Sequence, residues 1–550
     1  MKLKNKKKII IVGAGLGGLS ASIYAIKKGF DVTVIEQQEK PGGKANLLEI
    51  KTKKGVFKFD TGPSLLTMPE VFQDLGLDLQ KDLSLVSLNE SARYFFSQST
   101  SSKNVIKKQI NNGKNTKNEI KTINFEHSTK QRTQENNLQK PFIAYTNQAK
   151  FEQEFKTFFK EDFKNWQRFK AKVKLIWDKG AKIFLYHKLD LKLLEKKIFW
   201  QNLIFLPFIS VFISLDKLAK KYFKDQRIVK IINRLGTYNG SNPYKMPGTF
   251  ACISQPEFFE DLYLPKNGIY EIPNKIYQQA LKMGVKFKFN QNLEKIFLNQ
   301  NQINKIIVKN KIDNKNTQYS NFDYILVNFD PLTFYDKFLS QDQKKPYKKL
   351  YKQTKSTSGI VFYWAIENLQ ENILGLHNII FSQNYKQEFE EIFKQQKIPA
   401  DPTIYINISS KVLENQAPKN CQNWFVMVNV PSTLDTDYKK ETFILKQKII
   451  KKIKNELALD IQDKILAEEI LTPQTLFKKT GSHEGSLYGF DSNSIFRILN
   501  RPNFRDRKIK NLYFCGGSTH PGGGMPLAVL SGKLAVQELD KLNQENQKLL

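Results

Sequence analysis

Two glycine-rich stretches stand at opposite ends of the chain, and each has a form that can hold phosphate. The first lies in KKIIIVGAGLGGLSASIYAIKKGFDVTVIEQ, with G-x-G-x-x-G at Gly13, Gly15 and Gly18. The second is NLYFCGGSTHPGGGMPLAVLSGKLA, residues 511–535, with five glycines in the nine positions 516–524. In the first, Gly13 permits a tight turn, Gly15 admits a pyrophosphate to the backbone, and Gly18 lets a helix close on its strand. Ala14 and Gly17 complete that loop. A helix start there offers free N–H groups and a partial positive charge to phosphate oxygens. Glu36, at the end of VTVIE, can accept hydrogen bonds from ribose hydroxyls and disfavours a 2′-phosphate. The expected ligand is therefore a dinucleotide other than NADP.

These residues need elements to place them. Ile9–Val12 is an unbroken apolar run, as expected of a parallel strand covered on both faces. Leu19, Ile23 and Ile26 recur at helical spacing, and Gly29 ends the helix before the second strand. The stretch after the acid strand, EKPGGKANLLEIKTKKGVFKFDTGPSLLTMPEVFQDLG, resembles the FAD-containing amine oxidases and carotenoid desaturases and not plain NAD dehydrogenases, which implies FAD. Gly42 and Gly43 form a second glycine pair, Lys44 is a cation directed at phosphate, and GVFKFDTGPSLL alternates as a strand that breaks at Thr61-Gly62-Pro63. Thr67 and Glu70 have the spacing of a capping box for a helix over MPEVFQDLG. No second G-x-G-x-x-G occurs. A reduced flavin would then be reoxidised by a small diffusible electron acceptor, oxygen or a quinone.

Farther along, FDYILVNFDPL reads as a buried strand ending at Asn328 and Asp330, and Leu293 is the expected backbone contact to adenine. NLYFCGG then returns to the first sheet, bringing Gly516 and Gly517 to the pyrophosphate and ribityl chain. A helix begins near Met525 and Pro526, its N-terminus aimed at the flavin ring. On this reading the two glycine loops serve one FAD. His520, in STHPGGG, is the one candidate general base or polar orienter beside the flavin; the competing reading is a turn histidine bonded to the glycine backbone.

At 550 residues, with 41 Phe and 21 Tyr, the chain can bury large cores in two domains built from interleaved segments. The formal charge of +34 would suit nucleic acid, but the lysines are spread through every segment and Arg is scarce. That reads as a solvated surface with some attraction to an anionic membrane, and nucleic acid is not an expected partner. Cys252, Cys421 and Cys515 lie far apart, form no metal-like or redox-like pair, and fit a reducing compartment. MKLKNKKK lacks the apolar core of a secretion signal, so a cytoplasmic, peripherally membrane-associated protein is expected. The apolar run IFWQNLIFLPFISVFISL, residues 198–215, is interrupted by Gln201, Asn202 and Pro207 and flanked by lysines. It suits a helix hairpin dipping into one leaflet, a cover over an apolar tunnel, or a plain buried helix pair. Residues 97–139 form a low-complexity insertion, and 150–235 read as helical and rich in aromatics. SGIVFYWAI, TIYINIS and WFVMVNVP are strands of a second domain, whose Phe362, Trp364, Tyr405 and Phe425 are either core or the wall of an apolar tunnel.

PGGKA, FDTGPSLLTMPEVF, YNGSNPYKMPGT, YLPKNGIYEI, FYWAI, GSLYGF and FCGGSTHPGGGMPLAVLSGK together resemble the bacterial carotenoid desaturases over nearly the whole chain outside 97–139. STHPGGGMPL and the FYW strand are most similar to the 1-hydroxycarotenoid 3,4-desaturase branch, with phytoene desaturases the near alternative. One departure is Asn267-Gly268, where the family often has two glycines. The resemblance implies an α/β fold: an FAD-binding Rossmann-like domain of the amine oxidase/carotenoid desaturase type with an interleaved α+β substrate domain. The expected division is 1–84, 258–345 and 478–550 for the FAD-binding domain, with 85–257 and 346–477 for the substrate domain. It further implies a hydrophobic carotenoid substrate and peripheral membrane contact. Flavin amine or porphyrinogen oxidation is a rival on the same fold. A non-enzymatic escort resembling the GDP-dissociation inhibitors is another, although both glycine loops here are intact.

Overall fold

The computed structural model describes residues 6–97, 140–187, 200 and 204–548. Nearly all of the 97–139 insertion, and residues 198, 199 and 201–203 of the 198–215 run, therefore lie outside the described residues.

The expected first strand, Lys8–Val12, is buried from Ile9 onward and stands at the centre of a five-stranded parallel sheet. Asp31–Ile35 pairs with it on one side and Tyr324–Val327 on the other, with Lys286–Lys288 and Leu512–Phe514 at the two edges. The chain leaves the central strand toward one edge and later returns on the other side, so a crevice opens at the carboxyl ends of the strands. Ile9, Ile11, Val32, Val34 and Leu326 pack on one face against the first helix, Leu16–Lys27, and the last helix, Met525–Lys548. Each such side chain contributes about 1.5–3 kcal/mol by leaving water.

The two helices meet almost backbone to backbone. A Cβ on Gly532 would stand 2.3 Å from the Gly17 carbonyl oxygen and 2.8 Å from the Ala21 nitrogen. Ser20 Oγ donates to the Val529 carbonyl across the same seam.

A seven-stranded sheet forms the second layer. Its order is Ile465–Leu471, Ser358–Glu367, Cys421–Val430, Ile404–Asn407, His377–Ile380, Glu90–Phe95 and Phe142–Tyr145. Period-two alternation divides its aromatics. Phe362, Trp364 and Trp424 pack against the helix Tyr438–Leu457 and are core. Tyr363, Phe425 and Tyr405 face the other way, toward Phe57 and Phe59 of the Leu47–Thr52/Gly55–Asp60 hairpin. The four aromatics named from the sequence thus have two fates: Phe362 and Trp364 are core, whereas Tyr405 and Phe425 line a cavity. Helices Gln148–Phe158, Phe163–Ile176, Leu215–Tyr222 and Gln226–Arg234 bury a separate aromatic cluster around Phe142, Phe155 and Trp166.

Two local expectations are corrected. No capping box forms at Thr67 and Glu70: Met68 takes the N-cap in a left-handed conformation (φ 52°), Pro69 opens the helix Pro69–Gln73, and Glu70 instead accepts from the Tyr186 hydroxyl at 3.0 Å. Within the described part of 198–215 there is no helix hairpin. Leu206–Ile209 is a single 3-10 turn, after which Ser214 caps Leu215–Tyr222.

The close approach at Gly532 gives the first test. Gly532→Ala should destabilise the protein by about 2–3 kcal/mol, and retained flavin should fall with it; thermal melting and visible absorbance of the purified protein measure both.

Candidate functional site: a dinucleotide edge joined to an apolar cavity

Four chain segments emerge side by side from the carboxyl edge of the parallel sheet: Gly13 after Val12, Glu36 after Ile35, Asn328 after Val327, and Cys515-Gly516 after Phe514. Asn328 sits among the glycines. Its Nδ2 lies 3.4 Å from the Gly13 carbonyl oxygen, and its side chain occupies the space where a Cβ on Gly15, Gly17 or Gly516 would fall. A Cβ on Gly17 would also stand 2.9 Å from the Gly516 Cα, so the first and last glycine loops touch. Gly42 donates its N–H to the Ala14 carbonyl at 2.9 Å, adding the second glycine pair to the same cradle.

Glu36 is only 7% exposed. Its carboxylate accepts from the Ala14 N–H at 2.6 Å and from the Gln38 N–H at 2.8 Å. Burial raises its pKa, against the pull of those N–H groups. Each carboxylate oxygen retains a further lone pair for a ribose hydroxyl. Gly15 caps the first helix with no side-chain hydrogen bond, so the helix N-terminus is presented by backbone alone. This donor set fits a dinucleotide.

Of the residues expected from sequence, Gly13, Gly15, Gly17, Glu36, Gly43, Lys44, Thr61, Gly62, Leu293, Gly516, Gly517, Met525 and Pro526 all line one cavity of about 1020 Å³. Ala14 and Gly18 stand behind that wall. Ala14 holds Glu36, and a Cβ on Gly18 would lie 2.0 Å from the Gly13 carbonyl oxygen, the close helix–strand contact its spacing implied. The Leu293 carbonyl accepts from Lys337 Nζ at 2.8 Å. Thr61 Oγ1 donates to the Lys44 and Asn46 carbonyls, and the Thr61 carbonyl accepts from the Tyr363 hydroxyl, tying the hairpin to the seven-stranded sheet.

Two expected residues have partners within the protein. Lys44 is half-buried, and its Nζ donates to the carbonyls of Leu487 at 2.5 Å and Ser486 at 3.3 Å. Burial lowers its pKa to about 8, while Asp330 draws it back up. It ties the 486–487 segment to the glycine cradle, and its ammonium keeps a third proton that a phosphate oxygen can accept. His520 is absent from the described cavity lining, which passes from Ser518 to Pro521. Its ring meets Phe184 and Phe504 edge-on, and its Nε2 lies 2.9 Å from the His187 carbonyl oxygen. That geometry anchors a loop and does not present a base to the cavity. Asp60 and Asp330 also hold backbone. Asp60 accepts from Ile269 and Tyr270 N–H, and Asp330 caps Pro331–Phe338 and accepts from Ser518 Oγ at 2.7 Å.

From the glycine cradle the cavity continues along Val361, Tyr405, Phe425 and Met427 and into the helical region at Trp177 and Ile209. Its wall contains buried polar residues that sequence reading missed. Arg234 Nη1 pairs with Glu257 Oε1 at 3.3 Å, and Tyr238 donates to Glu257 Oε2 at 2.7 Å. Arg501 Nη2 donates to the Phe490 carbonyl and to Ser492 Oγ, and burial lowers its pKa to about 10. One signal could have found the two arginines: an Asn-Arg pair set in an otherwise apolar stretch, in IINRLG and ILNRPNF, within a chain that covers its surface with Lys.

Because the Glu36 carboxylate keeps lone pairs that a ribose hydroxyl can use, Glu36→Gln should weaken FAD binding by about tenfold. A fluorescence titration of the deflavinated protein with FAD reads this directly.

The family model of an NAD(P)-binding Rossmann-like domain matches residues 11–76, the span from the first glycine loop through the hairpin. A 1-hydroxycarotenoid 3,4-desaturase from Flavobacterium sp. (strain P99-3) is 34% identical over 98% of this chain and 100% of its own. A phytoene desaturase from Neurospora crassa is 27% identical over 96% of this chain and 84% of its own. Among solved structures, an oxidoreductase from Methanosarcina mazei superposes with a TM-score of 0.58 at 14% identity, covering 96% of this chain and 100% of that one, a likeness of fold. With that identity sustained from end to end, and with both glycine loops closing on one cradle, the chain belongs to the carotenoid desaturases, a family of FAD-dependent oxidoreductases.

Proposed function

We propose that the protein desaturates the 3,4 bond of a 1-hydroxylated carotenoid, with residues 1–84, 258–345 and 478–550 binding FAD and the interleaved segments binding substrate. The observation that carries this is the continuity of one cavity from the glycine cradle into an aromatic and aliphatic wall. FAD, when bound, supplies the acceptor for the hydride lost from a C–H bond beside the polyene. The chain supplies the surroundings. Gly15, Gly17 and Gly516 let the loops close around Asn328 and present bare backbone to the cofactor along the cavity, and Tyr405, Phe425 and Met427 give the polyene a flat apolar wall that excludes water. With one dinucleotide fingerprint in the sequence, we assign the terminal oxidant to a diffusible acceptor, oxygen or a quinone.

Cells accumulating 1-hydroxylated carotenoids and cells making only phytoene, each expressing the chain, test the assignment by pigment chromatography. A longer chromophore in the first and unchanged phytoene in the second is the expected pair of results. Consumption of phytoene alone would move the protein to the phytoene desaturase branch.

We also assign a membrane-facing mouth to residues 204–212. Ile209 and Val211 line the cavity, whereas Phe208 and Phe212 face outward, 60% and 81% exposed, beside Ile204. Lys217, Lys220 and Lys221 follow on the next helix. Among the described residues no helix is long and apolar enough to cross a membrane, which suits shallow attachment on the cytoplasmic side. The double variant F208S/F212S should lose most of its cosedimentation with anionic vesicles while keeping its flavin spectrum.

A further inference from the structure

We propose that His377, with Ser91, forms a socket for a free hydroxyl on the substrate and so selects hydroxylated polyenes over hydrocarbon ones. The inference rests on the proposed 1-hydroxycarotenoid desaturation and names the residues that would enforce it.

His377 opens the strand His377–Ile380 and is 3% exposed. Its Nδ1 lies 2.8 Å from the Ser91 carbonyl oxygen. A carbonyl can only accept, so Nδ1 carries the proton. Burial, reinforced by the nearby Arg234 charge, lowers the pKa to about 4 against the pull of the Ser91 and Ser64 carbonyls. The ring is therefore neutral at physiological pH, and Nε2 presents a bare lone pair. Nε2 is buried and has no hydrogen-bond partner in the protein. The Ser64 carbonyl cannot supply one, because it too is an acceptor. Only a group that brings a proton can satisfy this atom.

A second orphan belongs to the residue that holds the ring. Ser91 Oγ is buried without a partner, and Ser91 and His377 both line the cavity. The Ser91 hydroxyl can donate to an oxygen. A polyene hydrocarbon leaves both groups unmatched, at about 1–3 kcal/mol for each buried polar group. A ketone or ether accepts from Ser91 but has nothing to give Nε2. A free hydroxyl does both, donating to Nε2 and accepting from Ser91 Oγ. The socket is also held in place relative to the cofactor-facing loop. The His377 ring stacks on Tyr405, with centroids 6.0 Å apart and planes at 20°, and the Tyr405 hydroxyl meets Ser64 Oγ at 2.8 Å, just beyond Thr61-Gly62.

The test compares two polyenes of equal conjugation, one with a tertiary hydroxyl and one a hydrocarbon, on FAD-loaded wild type, His377→Asn and His377→Gln. Asn can keep the bond to the Ser91 carbonyl but loses the Nε2 acceptor; Gln places an acceptor where Nε2 stood. Wild type should favour the hydroxylated polyene. In His377→Asn its kcat/KM should fall about tenfold or more while the hydrocarbon's stays within about twofold, and His377→Gln should recover part of the preference. Unchanged preference in His377→Asn, or an equal fall for both polyenes (as loss of a structural contact or of a bound water would give), overturns the socket alone. No preference in wild type overturns the functional reading and the socket with it.

Discussion

The contact on which the rest of this structure depends is backbone against backbone, where Gly17 of the first helix meets Gly516 and Gly532 from the last segment of the chain. No side chain fits between them. The helix N-terminus, the acid on the second strand and the closing loop can then converge on one dinucleotide, because nothing bulkier than a glycine hydrogen keeps them apart. Asn328 fills the one remaining gap, with its amide directed at the Gly13 carbonyl.

The second constraint is the way the seven-stranded sheet meets this cradle. Strand Ser358–Glu367 is buried on both faces, yet its two faces do different work. One seals a helix-backed core through Phe362 and Trp364; the other, through Val361 and Tyr363, meets the hairpin that carries Thr61 and Gly62. The same sheet that stabilises the second layer therefore fixes the distance between the glycine cradle and the apolar wall of the cavity. Buried charge in the cavity wall is answered in the Arg234–Glu257–Tyr238 group, whereas Arg501 is held by neutral acceptors alone and keeps one buried Nη1 unmatched.

Much of the cofactor half was legible in the sequence because its constraints are local. An unbroken apolar run, a glycine spacing and a helical period each fix backbone geometry within a few residues, and Gly13–Gly18, Glu36, Gly43 and Gly516–Gly517 are placed by them. Roles that depend on a distant partner were not legible. Lys44 takes its role from carbonyls at 486–487, and His520 from the His187 carbonyl and the Phe184 ring. The spacing of Thr67 and Glu70 satisfied a local rule, but the left-handed Met68 and the pull of Tyr186 on Glu70 overrode it. His377 gave no signal of its own, since a single histidine in an apolar strand acquires chemistry only from what lies on the neighbouring strand. Among the tunnel aromatics, alternation predicted two faces but could not say which faced the cavity.

The order in which the cradle is assembled has a consequence for synthesis. The strand Leu512–Phe514 completes the sheet edge, and the last helix supplies the seam against the first. During translation the N-terminal glycine loop is made first, yet its counterpart appears only after more than nine-tenths of the chain has been polymerised. Folding of the parallel sheet thus waits on a pairing of very high sequence separation, which is slow to form. Until then the apolar helices and cavity wall stand open. A nascent chain of this design is exposed to aggregation for longest in the part that will later line the apolar cavity, and closure of the cradle becomes the event that marks completion of the protein.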